Sequence, residues 1–150
     1  MSYATYNKWM KILVADDNEA VQRVYKRIFA DHEVHLVSCG YQGLKAVLDK
    51  TFEPDIIFSD YDMGTGYMNG TSFCTQLREA GCKVPFVLVS SNFEVRELAT
   101  ACGAQLGVRK PFSARMLHQI SWKFVPEHAP KDVHVDELSD EELSTLASKA

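Results

Sequence analysis

Asp16, Asp17, Asp60, Ser90 and Lys110 are the residues whose types and positions could do chemistry together. Each lies at or just beyond the end of a short apolar run: Lys11–Ala15 for the aspartate pair, Ile56–Phe58 for Asp60, Val84–Val89 for Ser90 and Leu106–Arg109 for Lys110. Carboxylates gathered in one place repel one another and lose hydration, and a divalent cation relieves that cost. A carboxylate, a hydroxyl and an ammonium group around such a cation suit phosphoryl transfer onto the carboxylate. Asp60 is then the nucleophile and forms an aspartyl phosphate. Magnesium is the expected cation, because it takes oxygen ligands and tolerates several waters. Lys110 adds positive charge from another side and Ser90 a hydrogen bond, so catalysis is mostly positioning and electrostatics.

Taken singly, these residues have ordinary readings: a surface acid, a helix-capping hydroxyl, a solvated lysine. Their joint meaning depends on the elements that carry them. Ile56–Phe58 and Val84–Val89 are continuous apolar runs, the pattern of strands buried on both faces of a parallel sheet. Lys11–Ala15 and Glu33–Ser38 supply two further strands, and Leu106–Arg109 a weaker fifth. Between them the period changes. Val21, Val24, Tyr25, Ile28 and Phe29 follow the helix start at Asp17-Asn18 at helical spacing. Leu44, Ala46, Val47 and Leu48 indicate a short second helix, Thr71–Ala80 a third and Glu94–Cys102 a fourth. Ser113 can cap a fifth, whose buried face is Ala114, Leu117, Ile120 and Phe124. Strands alternating with helices predict an α/β fold, a doubly wound parallel sheet. In such sheets ligands bind just outside the carboxyl ends of the strands, where the five residues fall. Met63–Gly70 holds three glycines and can approach a ligand closely.

A chain of 150 residues reads as one domain with a real core, residues 11–125, after a lead-in at 1–10. Residues 126–150 read as a proline-marked linker and a short helix, announced by the capping-box pattern Ser139-Asp140-Glu141-Glu142. That tail is expected to serve as a docking or regulatory element. The net charge of -4 argues against broad nucleic-acid binding. No apolar run is long enough for a bilayer, and Asn7 and Lys8 interrupt the place of a signal peptide, so a cytoplasmic protein is expected. Cys39, Cys74, Cys82 and Cys102 lack C-x-x-C spacing and read as reduced, mostly buried thiols. The five histidines have no paired spacing for a metal site and read mostly as surface residues.

Over residues 11–125 the sequence resembles the receiver domain of bacterial two-component response regulators. The resemblance is carried by Asp16-Asp17, Pro54-Asp55 with Asp60, Asn69-Gly70, Val87-Leu88-Val89-Ser90-Ser91, Gly103-Ala104 and Lys110-Pro111-Phe112, in that order and spacing. It implies a flavodoxin-like five-stranded sheet of order 2-1-3-4-5 flanked by helices. It also implies phosphoryl capture at Asp60 from a sensor histidine kinase or phosphotransfer protein, followed by a change in binding to an output protein. Asp17, Asp60 and the backbone carbonyl of Asp62 are the implied magnesium ligands, with Asp16 holding the metal or a metal-bound water. No output domain follows Val125, so a stand-alone receiver is expected, with no catalysis beyond its own phosphorylation and dephosphorylation.

Three positions and the length of one turn depart from the family pattern. Gly64 replaces the usual proline, the Asp60–Gly70 turn is about two residues longer, Asp62 is acidic, and Gly107 stands where an aromatic ring is usual. They motivate an alternative: a degenerate receiver that binds a partner without being phosphorylated. A further alternative is an aspartate-nucleophile phosphohydrolase, since Asp60-Tyr61-Asp62 matches the D-x-D element of haloacid-dehalogenase-type enzymes. That family, however, places the element on its first strand.

Overall fold

The structure, a computed structural model, describes residues 9–130. The tail helix expected after Pro130 lies outside the described residues. Five strands, β1 (Lys11–Ala15), β2 (Glu33–Val37), β3 (Ile56–Asp60), β4 (Phe86–Ser90) and β5 (Leu106–Arg109), alternate with five helices. The helices are α1 (Glu19–Ile28), α2 (Gly40–Leu48), α3 (Gly70–Glu79), α4 (Val95–Cys102) and α5 (Ala114–Phe124), followed by a 3-10 turn at Pro126–His128. The strands pair in parallel in the order β2-β1-β3-β4-β5, as the sequence led one to expect.

Successive strand residues point to opposite faces, so each apolar run feeds two cores. Ile12, Val14, Ile56, Phe58, Val87 and Val89 face α1 and α5, where they meet Tyr25, Phe29, Leu117 and Ile120. Leu13, Ala15, Ile57, Phe86 and Leu88 face the other way and meet Phe73, Cys74 and Leu77 of α3 and Val95 and Ala99 of α4. The central strands therefore carry no solvated face, the reason their sequence is continuous rather than alternating. β2 is one of the two edge strands, and its outer residues are only partly covered.

Some element ends differ from the sequence expectation, for local reasons. β4 starts at Phe86, not Val84, because Pro85 has no N–H to give to the ladder and instead accepts from Ile57 N. β3 continues past Phe58 to Asp60, which sits in register with Val89. α2 starts at Gly40, well before Leu44. Its first turn can form there because Gly40 and Gly43 let it lie directly on Phe73 of α3; a Cβ on Gly43 would come within 2.6 Å of that ring. Of the described histidines, His35 is exposed, while His32, His118 and His128 are partly buried. His32 and His118 pack edge-on to Phe29, and the Nδ1 atoms of His118 and His128 are buried.

Candidate functional site

Two strand ends set the acidic cluster. Asp16 follows β1 directly, and its N–H donates to Val37 O at 3.0 Å, continuing the sheet by one bond. Its carbonyl accepts from Gln22 Nε2 at 2.7 Å, while its Oδ1 accepts from Asn18 N at 2.9 Å. Asn18 also caps α1, its side chain accepting from Ala20 N and Val21 N. Asp16 is thus held from both sides and is only 2% exposed. Asp60 ends β3, and the chain beyond it is pinned by Tyr61 N donating to Val89 O and Gly70 N donating to Tyr61 O, both at 2.9 Å. Gly70 opens α3 against this strand end: a Cβ there would run into Asp60 O and lie 2.7 Å from Leu88 Cδ1. The glycine of the Asn69-Gly70 pair is required by that close approach.

Carboxylate oxygens of Asp16, Asp17 and Asp60 lie within 4.8 Å of one another. Lys110 leaves β5 with its N–H donating to Ser90 O at 2.8 Å, which fixes where its side chain starts. Its Nζ donates to Asp60 Oδ2 at 3.2 Å and lies 3.8 Å from Asp16 Oδ2. Burial pushes the Asp60 carboxyl above the ordinary range; Lys110 pulls it back and the Asp16 charge pushes it further up. Asp16 is raised too, by burial first, against the opposing pull of Asn18 N–H and Lys110 and with a push from Asp17. One ammonium among three carboxylates leaves the cluster short of positive charge. That deficit and an all-oxygen donor set fit a hard divalent cation.

The structure thus brings Asp16, Asp17, Asp60 and Lys110 together. Ser90 ends the adjacent strand β4, is buried, and its Oγ accepts from Asn92 N at 3.0 Å. Asp62 stands on the loop beyond Asp60, with its Oδ1 accepting from Gly64 N at 3.1 Å. Gly64 takes a φ of 104°, which the usual proline cannot adopt, and this returns the loop toward Asp17: a Cβ there would sit 3.8 Å from Asp17 Oδ2. Gly107 is explained by packing. A Cβ there would strike Val95 O and lie 2.8 Å from Val95 C and 2.9 Å from Arg96 Cα, so α4 rests directly on β5 at this point.

Two residues near the site escaped the sequence reading. Gln22 ties Asp16 to the end of β2 through Val37 O, and nothing in its spacing distinguished it from a solvated helix residue. Tyr25 read as one more apolar position of α1. It is buried against the rings of Phe58 and Phe112, and burial, with the Asp16 and Asp60 charges, pushes its phenol well above the ordinary value.

Residues 12–121 match the family model of the response regulator receiver domain. The response regulator MprA of Mycobacterium avium is 30% identical over 112 residues, a match covering 72% of this chain and 47% of that protein. The chain therefore corresponds to about half the length of this relative. A magnesium-bound receiver domain of a sensor histidine kinase from Pseudomonas aeruginosa superposes with a TM-score of 0.69 at 24% identity, covering 79% of this chain and 98% of that one. A Saccharomyces cerevisiae receiver domain, solved in complex with a histidine phosphotransfer protein, gives 0.72 at 16% identity, covering 85% and 97%. Among the described residues, no helix is long and apolar enough to cross a membrane. With its five-stranded 2-1-3-4-5 sheet and its acidic cluster beside a strand-end lysine, the chain belongs to the response regulator receiver domain family of two-component signalling.

Proposed function

We propose that Asp60 is the phosphoacceptor of this receiver domain and that its phosphorylation changes which protein the domain binds. The observation that carries this reading is the Asp60 carboxylate itself, half-withdrawn from water at a strand end and held at 3.2 Å by Lys110 beside two other acids. An Asp60 oxygen attacks the phosphorus of a phosphohistidine on a histidine kinase or phosphotransfer protein. The new O–P bond forms as the P–N bond breaks, and its electron pair leaves with the imidazole. Lys110 keeps Asp60 ionised and oriented, and its ammonium offers a counter-charge to the arriving phosphoryl oxygens. Ser90, at the end of the neighbouring strand, supplies a hydroxyl donor, since its Oγ accepts from Asn92 N and that bond does not use its own proton.

Asp17, Asp60 and the carbonyl of Asp62 are the proposed magnesium ligands, with Asp16 binding the metal or a water on it. When bound, magnesium supplies the positive charge that the cluster lacks and shields the phosphoryl oxygens. The magnesium found in the Pseudomonas receiver domain and the phosphotransfer protein bound to the yeast one support both assignments. Compartment and output partner are proposed only by class: the cytoplasm, and a protein rather than nucleic acid or membrane.

The experiment is intact mass after incubation with acetyl phosphate, with and without magnesium. One phosphoryl group should add to the wild type with magnesium and none to Asp60→Asn. Equal uptake by Asp60→Asn would remove the acceptor assignment. No uptake by the folded wild type would favour the phosphorylation-independent binding module instead.

A further inference from the structure

Three histidines gather at the opposite edge of the sheet from Asp60, where β1 begins and α5 ends. His32 stands in the turn between α1 and β2. Its Nδ1 accepts from Met10 N at 3.0 Å, and Met10 O accepts from Glu33 N at 3.0 Å. Met10 is fully buried and immediately precedes β1, so these two bonds bracket the start of the strand to the turn. The His32 ring meets the Phe29 ring edge-on, with centroids 6.1 Å apart. The same Phe29 ring meets His118 of α5 edge-on at 5.3 Å, and His118 in turn stacks on Trp122 at 5.5 Å. His128 lies in the 3-10 turn after α5, with its N–H donating to Val125 O at 3.0 Å. The Nδ1 atoms of His118 and His128 are buried and have no hydrogen-bond partner among the described residues.

This geometry disfavours a second proton on every one of the three rings. A neutral imidazole carries one N–H and an imidazolium carries two. At His32 the second proton must go to Nδ1, the atom that accepts from Met10, so protonation breaks one half of the bracket. At His118 and His128 the imidazolium places an N–H at a buried Nδ1 without an acceptor, a cost that the neutral ring avoids by leaving Nδ1 bare. The charges would also face one another. His118 from α5 and His128 from the 3-10 turn both act against a charged His32, after burial; Asp31, from the turn itself, favours the charged ring. Burial lowers His118 as well, opposed by the Ile28 backbone and by Asp31. β1 offers His32 the backbone of Met10. The folded chain therefore binds fewer protons here than the unfolded one below about 6.5, and stability at this corner falls as pH falls through that window.

We propose that His32, His118 and His128 form a pH-sensitive latch, in which protonation of His32 releases Met10 from the turn between α1 and β2 and loosens the start of β1 together with the 3-10 turn. The segments before Trp9 and after Pro130 join the domain beside this latch, so its opening changes how both are attached. The length of β1 separates the latch from Asp16, about 16 Å for five strand residues. Phosphoryl capture at Asp60 does not depend on it, and either proposal can fail without the other. The two also have opposite signs: acid loosens the histidine corner, whereas the raised Asp16 and Asp60 carboxyls favour the folded chain as pH falls.

The test is nuclear magnetic resonance on the full chain between about pH 8 and pH 5.5, reading histidine ring nitrogens and amide protection factors. At the upper pH the His32 ring should carry its proton on Nε2, and His32 and His118 should titrate below 6.5. At the lower pH, about one unit under the ordinary histidine value, protection of Met10 and Glu33 should fall by about tenfold for each ring that resists its proton. Protection of Val14 and Phe58 in the central strands should hold. His32→Asn offers Oδ1 in place of Nδ1 without titrating, so it should keep Met10 protected at both pH values. His35→Asn alters a histidine that stacks on Phe52 away from the cluster, and should behave as the wild type. A His32 midpoint at or above 6.5, pH-dependent protection of Met10 that persists in His32→Asn, or loss spread evenly over the sheet would each overturn the proposal. The wild-type titration alone decides the matter if a variant fails to fold.

Discussion

Replacing Gly107 with alanine is a severe test of the packing described above. The added Cβ meets three backbone atoms of α4: Val95 O, Val95 C at 2.8 Å and Arg96 Cα at 2.9 Å. Ordinary carbon contacts lie near 3.5–4.0 Å. Backbone atoms cannot rotate away like a side-chain tip, so the start of α4 must lift by several tenths of an ångström. The buried Val95 and Ala99 would be carried out of their seats with it. Overpacking of this kind costs about 1–3 kcal/mol. The opposing gain, the reduced freedom of the unfolded chain when glycine becomes alanine, is only about 0.4–1 kcal/mol. The steric term wins, and a net loss of about 1–2 kcal/mol is expected. Urea unfolding followed by circular dichroism measures it: with a slope of about 1–3 kcal/mol per molar, the midpoint should fall by about 1 M while the slope stays constant. A Gly107→Ala protein as stable as the wild type would refute the claim that α4 rests on this backbone. Phosphoryl uptake at Asp60 should survive the substitution, because Gly107 belongs to the contact with α4 and not to the acidic cluster.

Three further outcomes follow from the same contacts. Asn69→Ala removes the side chain that accepts from Ser72 N at the start of α3, and should cost about 1 kcal/mol in the same unfolding assay. Asp16 and Asp60 titrate above 3.8 in the folded state, so between that value and their raised values the folded chain binds more protons than the unfolded one. Metal-free stability should therefore fall as pH rises through that window, and magnesium should restore it above the window but not below. Calorimetry across pH with and without magnesium checks this, and a magnesium effect undiminished in Asp60→Asn would contradict it. Finally, a beryllofluoride phosphoryl mimic should shift amide signals near Asp60, residues 64–70 and residues 90–94 more than those of Leu106–Arg109. A glycine at 107 has no ring to reorient, so a rearrangement centred on β5 would count against that route.

The sheet and the site were largely legible because both are written in short-range patterns. Ile56–Phe58 and Val87–Val89 are apolar without interruption because both faces are covered, and polar residues close the strands, Ser59-Asp60 for β3 and Ser90 for β4. Once the strands are parallel, Asp16, Asp60 and Lys110 have no choice but to share an edge. The contacts made across the sequence were not legible. Gly107 read as a departure, and nothing in the pattern singled out Gly43, yet each is a place where one element presses on another, visible only when Phe73 and Val95 are in position. Gln22 and Tyr25 follow the helical period like their neighbours, and only the placement of β2 and Phe112 distinguishes them.

The most direct test of the central claim locates the phosphoryl group chemically. Protein incubated with acetyl phosphate and magnesium is treated with borohydride, which reduces an aspartyl phosphate to homoserine, and its peptides are sequenced by mass spectrometry. The account requires homoserine at position 60, with Asp16, Asp17 and Asp62 unchanged. Homoserine at any of those three positions, or none in a protein that has taken up phosphate, would contradict it.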